Sequence, residues 1–302
     1  MTAAPGQGGA GSVGRVDLHC HSTASDGTLS PTELAQAAAL AGLVGAALTD
    51  HDTVEGVTEF LEAGRAAGLT AVGGVEISLE HTGTMHLLGY NVAGRPGIPS
   101  ALERLKTFRV ERNLKMLDLL GRQGYYLSWD RLLEKSGGGQ MGRPHFAALL
   151  LEKGYFKTRE EVFDKLLAKG RPGYVDKVRL NPDEGLAMIR AAGWAPVLAH
   201  PVSLGLTPGD WPDFLKTLTD DGLLGLEVLH PSHTREQHEF FLGLARRFGL
   251  VPTAGSDFHG ANKPAVTLSW GLTASPYGLE MVDRLRDKLN SHPVPAADPA
   301  AA

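Results

Sequence analysis

His19 and His21 stand one residue apart, behind the apolar run Val16–Leu18. Residues i and i+2 of a β-strand face the same way. The two imidazoles therefore converge, as metal binding requires. Cys20 between them points to the other face and reads as a small buried hydrophobe. The same gesture recurs along the chain. The run Gly45–Leu48 ends in Thr49-Asp50-His51, Thr70–Leu79 carries Glu76, and Thr84–Gly89 carries His86. Ala195–Ala199 stops at His200, Leu224–Leu229 bears Glu227 and stops at His230, and Val251–Ala254 runs into Asp257 and His259. A carboxylate such as Glu76 inside an apolar strand is costly to bury unless it is paired or metal-bound.

One histidine at a strand end is ordinarily a satisfied structural residue. Seven strand candidates ending in His, Asp or Glu, in a chain of 12 histidines, point instead to a metal centre. The candidate donors are His19, His21, His51, His86, His200 and His259, with the carboxylates Asp26, Glu76 and Asp257. Asp26 lies in the turn signal Ser25-Asp26-Gly27, where a lone Asp would cap its own turn; its place just after His-x-His counts it as a donor. Asp52 heads Asp52-Thr53-Val54-Glu55 and is expected to cap the next helix. His81 is expected to be a solvated turn residue. Nine donors exceed the needs of one ion, so two or three divalent ions are expected. Mixed imidazole and carboxylate donors suit manganese first, with zinc or iron as alternatives, better than magnesium. Three such ions over three carboxylates leave a local charge of about +3, which suits a phosphoryl dianion and a hydroxide nucleophile.

Helices must connect these strands. Ser30-Pro31-Thr32-Glu33 supplies an N-cap, a proline at the first helical position and a capping glutamate, and Gly42 stops that helix. Further helices are expected at Val57–Ala67, at Asn181–Ala192, at Trp211–Asp220, at Thr234–Phe248 and at Leu279–Leu289. Seven strand candidates followed sooner or later by helices give an α/β class, a barrel whose chemistry sits at the C-terminal ends of the strands. Ile98–Gly185 breaks the rhythm. Its helix candidates are Ser100–Gln123, Trp129–Lys135, Arg143–Lys153 and Arg159–Ala168, and it reads as a helical insertion near the barrel mouth. The expected division is a disordered tail 1–14, barrel 15–97, insertion 98–185, barrel 186–290 and a disordered tail 291–302. The insertion carries Arg109, Arg112 and Asn113 on its long helix, then Arg143 and His145. By spacing alone such arginines face solvent or form ion pairs.

Composition bounds the partners. The net charge of -5 implies no general polyanion-binding surface, so any nucleic-acid contact should be local. A single cysteine excludes an internal disulfide, and no apolar run approaches the roughly 20 residues that span a bilayer. With no signal peptide read at the start, the expected setting is cytoplasmic, without membrane or protein partner.

The set His19-Cys20-His21, Thr49-Asp50-His51-Asp52, Glu76, His86, His200-Pro201 and Gly255-Ser256-Asp257-Phe258-His259 resembles the PHP (polymerase and histidinol phosphatase) domain. The branch it resembles holds bacterial 3′,5′-nucleoside bisphosphate phosphatase, also described as a 5′→3′ exoribonuclease. Ser25-Asp26-Gly27-Thr28, Arg109-x-x-Arg112-Asn113, Gly142-Arg143-Pro144-His145 and Glu227 to Thr234 carry that likeness. The resemblance implies a distorted (β/α)7 barrel with a trinuclear centre. His19 and His21 would hold one ion with Glu76 and Asp257 bridging, His51 and Asp26 another, and Glu76, His86 and His200 the rest, with His259 completing the set. It further implies that Arg109, Arg112, Asn113, Arg143 and His145 hold substrate phosphates, and that Glu227 orients a ligand. The nucleophile would be a hydroxide on the ions. His230 and His233 would support the site or contact phosphate. The expected substrate is a small nucleotide such as adenosine 3′,5′-bisphosphate, converted to 5′-AMP, or short 5′-phosphorylated RNA. Rival readings are a histidinol-phosphatase-like monoesterase, an amidohydrolase, and a non-catalytic metal-binding module.

Overall fold

A computed structural model describes residues 14–94, 100–137, 139–268 and 278–292. Seven strands form one sheet in the order of the chain: β1 Val16–Cys20, β2 Gly45–Leu48, β3 Thr70–Leu79, β4 Met85–Tyr90, β5 Ala195–Leu198, β6 Gly225–Leu229 and β7 Val251–Ala254. β1, β2, β5 and β7 are buried along their whole length, as strands covered on both faces must be. The sheet curls until its two edges meet. A bridge pairs Cys20 with Phe258, and the Asp17 carboxylate crosses the seam to accept from Ser256 N at 2.9 Å.

The pairing departs from a strict βα repeat. β3 and β4 run antiparallel, as do β4 and β5, while all other neighbours are parallel. No helix separates β3 from β4. The reversal settles where the donors lie. His86 opens β4 rather than closing it, and so reaches the same rim as the residues that follow β1, β2, β5, β6 and β7. Glu76 sits mid-strand because β3 continues past the rim to Leu79.

Helices cover the outside: α1 Pro31–Leu40, α2 Val57–Ala66, α7 Pro182–Ala191, α8 Trp211–Asp220, α9 Arg235–Arg247 and α10 Glu280–Ser291. The capping box of α1 forms as read, with Glu33 N donating to Ser30 Oγ at 3.2 Å and Ser30 N to Glu33 Oε2 at 2.8 Å. Asp52 is not a helix cap. α2 starts behind Gly56 with no side-chain cap, and the Asp52 side chain turns to β3 and the insertion. Of the two expected tails, residues 1–13 and 293–302 lie outside the described residues, and Ser291 is the last residue of α10. Among the described residues no helix is long and apolar enough to cross a membrane.

Between β4 and α7 lie α3 Ser100–Arg122, α4 Trp129–Ser136, α5 Arg143–Glu152 and α6 Arg159–Val162, the last passing into a π turn, Phe163–Leu167. Met116, Leu120, Leu132, Phe146, Leu150 and Leu166 bury one another in a cluster separate from the barrel core. Leu102 and Leu105 of α3 join the barrel core, and polar contacts add to this docking. Gln140 N donates to Ala24 O at 2.8 Å, Arg159 Nη1 to Asn262 Oδ1 at 3.0 Å, and Glu80 N to Leu180 O at 2.8 Å. A Cβ on Gly139 would lie 2.0 Å from Thr23 O, so only glycine permits this approach.

Candidate metal centre

Glu76 is the hub. Its Oε1 lies 2.7 Å from His86 Nδ1 and 2.9 Å from His200 Nε2. Its Oε2 lies 3.0 Å from His51 Nδ1 and 3.3 Å from both His19 Nε2 and His21 Nε2. Asp257 Oδ1 stands 3.3 Å from His21 Nε2 and 3.4 Å from His259 Nδ1. Asp26 Oδ1 is 3.2 Å from His259 Nε2 and 3.9 Å from His21 Nδ1. Glu227 works from behind. Its Oε1 meets His19 Nδ1 at 3.0 Å and its Oε2 accepts from His200 N at 2.7 Å. A carboxylate on Nδ1 turns the other nitrogen of His19 towards Glu76. His200 and Asp257 adopt φ of 25° and 56°, a left-handed backbone that non-glycine residues enter at a cost and that concentrates at functional sites. A Cβ on Gly255 would lie 2.2 Å from His19 Cβ, so this turn packs directly against the first donor.

Burial alone would neutralise these carboxylates, yet each is held well below the usual range. For Glu76 the charges of His86, His51 and His19 outweigh burial, and for Asp257 those of His19 and His21 do. Asp26 is held down likewise by His51 and His259. In return, and against burial, the carboxylates of Asp257 and Glu76, each 3.3 Å from its Nε2, raise His21 to about 9. The cluster thus demands positive charge at its centre. His19 Nε2, both nitrogens of His21, His51 Nδ1 and Glu76 Oε2 are buried without a hydrogen-bond partner. Such orphans ask for a ligand, and the donor set answers with three groups whose atoms lie within 4.8 Å of one another: His19, His21, Glu76 and Asp257; His21, Asp26, His51 and His259; and His51, Glu76 and His86. The residues fit divalent cations.

Above the cluster opens a cavity of about 610 Å³. Asp26, His51 and His86 line one side, and Arg109, Arg112, Arg143, Lys169, Lys177 and Arg179 of the insertion line the other. Arg109 pairs with Asp52. Arg112 donates from Nε to Val175 O at 2.8 Å. The Arg143 guanidinium lies over the Tyr174 ring at 5.3 Å and that of Phe163 at 6.0 Å, contacts that orient it.

The sequence profile of the PHP domain matches residues 17–175. The chain belongs to the PHP domain family. It is 33% identical over 250 residues to a 5′-3′ exoribonuclease of Haemophilus influenzae, covering 81% of this chain and 90% of that one. It is 32% identical to a 3′,5′-nucleoside bisphosphate phosphatase of Chromobacterium violaceum, covering 82% and 88%. A phosphoribosyl 1,2-cyclic phosphate 1,2-diphosphodiesterase of Eggerthella lenta is 33% identical, covering 81% and 94%. In structure, the chain is similar to a Bifidobacterium adolescentis protein provisionally described as a metal-dependent phosphoesterase, with a TM-score of 0.77, 30% identity, and coverage of 95% and 98%.

In this PHP barrel the donors read from the sequence stand together. Eight of them fall in the three groups, and the ninth, His200, touches Glu76 and, at 3.2 Å, His86. His230 approaches Asp257 Oδ2 at 3.6 Å with its Nε2 otherwise unpartnered. His233 is anchored below by Nδ1 to Val228 O at 2.9 Å and packs against Phe241. Two residues read as phosphate ligands are not on the cavity wall. Asn113 is buried and donates from Nδ2 to Met141 O at 2.9 Å. His145 accepts from Gly142 N at Nδ1, 3.0 Å away. Both brace the turn that carries Arg143. His81 lies in the turn between β3 and β4, part-exposed as read, and lines the cavity. Lys169, Lys177 and Arg179 were not foreseen. They lie in a stretch without helical or strand periodicity, where cation density was the only signal.

Proposed function

We propose that this protein is a metal-dependent phosphoesterase that hydrolyses the 3′-phosphate of nucleoside 3′,5′-bisphosphates, and that the same site acts 5′→3′ on short 5′-phosphorylated RNA. One observation carries the reading: a single cavity has a cation-demanding donor cluster on one side and a cationic wall on the other. The first suits a phosphate that reacts, and the second a phosphate that is only held.

His19, His21, Asp26, His51, Glu76, His86, His200, Asp257 and His259 would hold two or three divalent ions, with manganese our first choice. Bound there, such ions neutralise phosphoryl oxygens and make water a stronger nucleophile near neutral pH. Around them, Glu76 presents both oxygens to five imidazoles, and Glu227 fixes His19 and the His200 backbone. Arg112, Arg143 and Lys177 hold the 5′-phosphate. Asn113 and His145 position the Arg143 turn. His230 Nε2, buried and unpartnered, is placed to give a proton to the leaving 3′-oxygen. We take residues 98–185 as the substrate cap and 15–97 with 186–290 as the barrel; the apolar cluster that α3 to α6 bury among themselves supports the cap, although Leu102 and Leu105 pack into the barrel core. A nucleotide substrate and a lone buried Cys20 suit the cytoplasm.

The Eggerthella relative makes a cyclic phosphodiester the second reading. Product analysis decides between them. Manganese-loaded protein given adenosine 3′,5′-bisphosphate should release 5′-AMP and inorganic phosphate. Release of 3′-AMP would reverse the substrate's orientation. Turnover of a cyclic phosphodiester alone would replace the proposal.

A further inference from the structure

The cavity wall holds more positive charge than one 5′-phosphate uses. Asp52 already neutralises Arg109. Arg112, Lys177 and Arg143 suffice for one phosphate, which leaves Arg179 and Lys169 on the same cavity. Neither has an ion-pair partner among the described residues, and both are exposed at the mouth. The segment that bears Lys177 and Arg179 runs along β3 away from Glu76, since Leu180, next to Arg179, bridges Leu79 and accepts from Glu80 N at 2.8 Å. On the barrel side, Lys177 Nζ lies 3.5 Å from Ser78 Oγ, and burial followed by the charge of Arg109 brings its ammonium down to about 8. On the outer side, Arg143 and Arg179 line the same cavity, and burial lowers the Arg143 guanidinium. Arg112 between them is brought to about 10 by burial, then by Arg143 and Arg109. Asp176, whose charge acts on Arg143, accepts a hydrogen bond from Tyr174 Oη at 2.7 Å. Cations that repel one another across one cavity, in two adjacent steps leading away from the metal donors, form a site for two linked anions.

We propose that the cavity accepts nucleosides carrying a 3′-phosphate and a 5′-diphosphate, with Arg112, Lys177 and Arg143 on the α-phosphate and Arg179, beside Arg143, on the β-phosphate. This rests on the 3′-phosphatase reading above. Water cleaves the 3′-phosphomonoester, giving inorganic phosphate and the nucleoside 5′-diphosphate, and the 5′ end is unchanged. Lys169 adds to the field at the rim.

The test compares adenosine 3′-phosphate 5′-diphosphate with adenosine 3′,5′-bisphosphate on manganese-loaded full-length protein. The diphosphate should be hydrolysed with kcat/KM at least equal to that of the bisphosphate. Arg179→Met should lower kcat/KM about tenfold more for the diphosphate, the scale of one charge-assisted contact. A wild-type preference for the bisphosphate of about tenfold or more, or equal loss on both substrates in Arg179→Met, overturns the proposal. Calorimetry with the two products separates this from failure of the parent reading. ADP should bind about tenfold more tightly than AMP, and Arg179→Met should erase the difference. If neither substrate is hydrolysed, the 3′-phosphatase reading falls, and the ADP to AMP ratio still decides the 5′ end.

Discussion

The carboxylate of Asp52 meets the guanidinium of Arg109 across the junction of barrel and insertion. Asp52 follows the donor His51 and adopts φ of 52°. Its N–H donates to Glu76 O at 2.9 Å, its Oδ1 accepts from Ser78 N at 3.1 Å, and its carbonyl accepts from Gln140 Nε2 at 2.7 Å. One residue thus links two donors to the long helix and to the loop before α5. Asp52→Asn keeps the shape and tolerates the left-handed backbone but removes the ion pair. It should cost about 2 kcal/mol in denaturant unfolding, because a largely buried guanidinium loses its partner. It should also lower kcat with the metal-loaded enzyme. Wild-type stability and kcat in this variant would show that the junction is not coupled to the centre.

Glu227 falls with His19 and His230 in a further group of ligand-type atoms, yet its oxygens already meet His19 Nδ1 and His200 N. Glu227→Gln retains a hydrogen-bonding side chain but not the charge that fixes the His19 tautomer. Loss of such an orienting carboxylate typically weakens metal binding by about 10- to 100-fold. Competition with a chelator should show that weakening while the far-UV circular dichroism stays unchanged. Unaltered metal affinity would leave Glu227 a purely structural role.

Much of this was legible in the chain, for reasons specific to each residue. His19 and His21 declare themselves because strand periodicity places them on one face. α1 declares its start through Ser30, Pro31 and Glu33, since capping is local chemistry. The antiparallel turn of β4 was not legible: two apolar runs joined by a short connection look the same in either direction, so His86, read near the start of its strand, was counted with strand-end residues without the reversal that brings it to their rim. Asp52 matched a capping pattern, but tertiary partners, Ser78 N and Arg109, outbid the local one. Asn113 and His145 show the same limit. Helical spacing cannot tell a side chain that faces a cavity from one that braces the turn beside it.

His233 gives a pH dependence of known sign. Burial pushes its imidazole down to about 4. The unfolded chain therefore takes up a proton that the folded chain refuses between about 6.5 and 4. Stability from this residue is full above about 6.5 and is lost as pH falls towards 4, by up to about 3 kcal/mol. His233→Gln should flatten that part of the stability curve in metal-free protein. Parallel curves for variant and wild type across this window would mean that His233 is not held neutral by the fold.

Arg143 tests the cationic wall. Its guanidinium, oriented by Tyr174 and Phe163, would grip a phosphate that does not react. Arg143→Ala should raise KM for adenosine 3′,5′-bisphosphate about tenfold, the scale of one charge-assisted contact, and change KM for p-nitrophenyl phosphate little. Equal increases for both substrates would place Arg143 at the reacting phosphate or in the fold.

Removing the ions separates a catalytic centre from a structural one. Without ions, protons can meet part of the cluster's demand for positive charge: Asp257 and Glu76 raise His21 to about 9, and imidazolium charge holds the carboxylates low. Leu18, Ile77 and Leu226 neighbour His19, Glu76 and Glu227 along their strands and so turn to the opposite face, into an apolar core that needs no ion. Chelation should therefore abolish phosphate release and leave the native circular dichroism. Ions that bind only the folded chain add RT ln(1 + [L]/Kd), about 4 kcal/mol at a thousandfold excess over Kd. Metal-free protein should accordingly unfold at a lower temperature but with the same cooperativity, and manganese should restore both activity and midpoint. Collapse of the fold on chelation would instead make the ions part of the architecture and favour the non-catalytic reading.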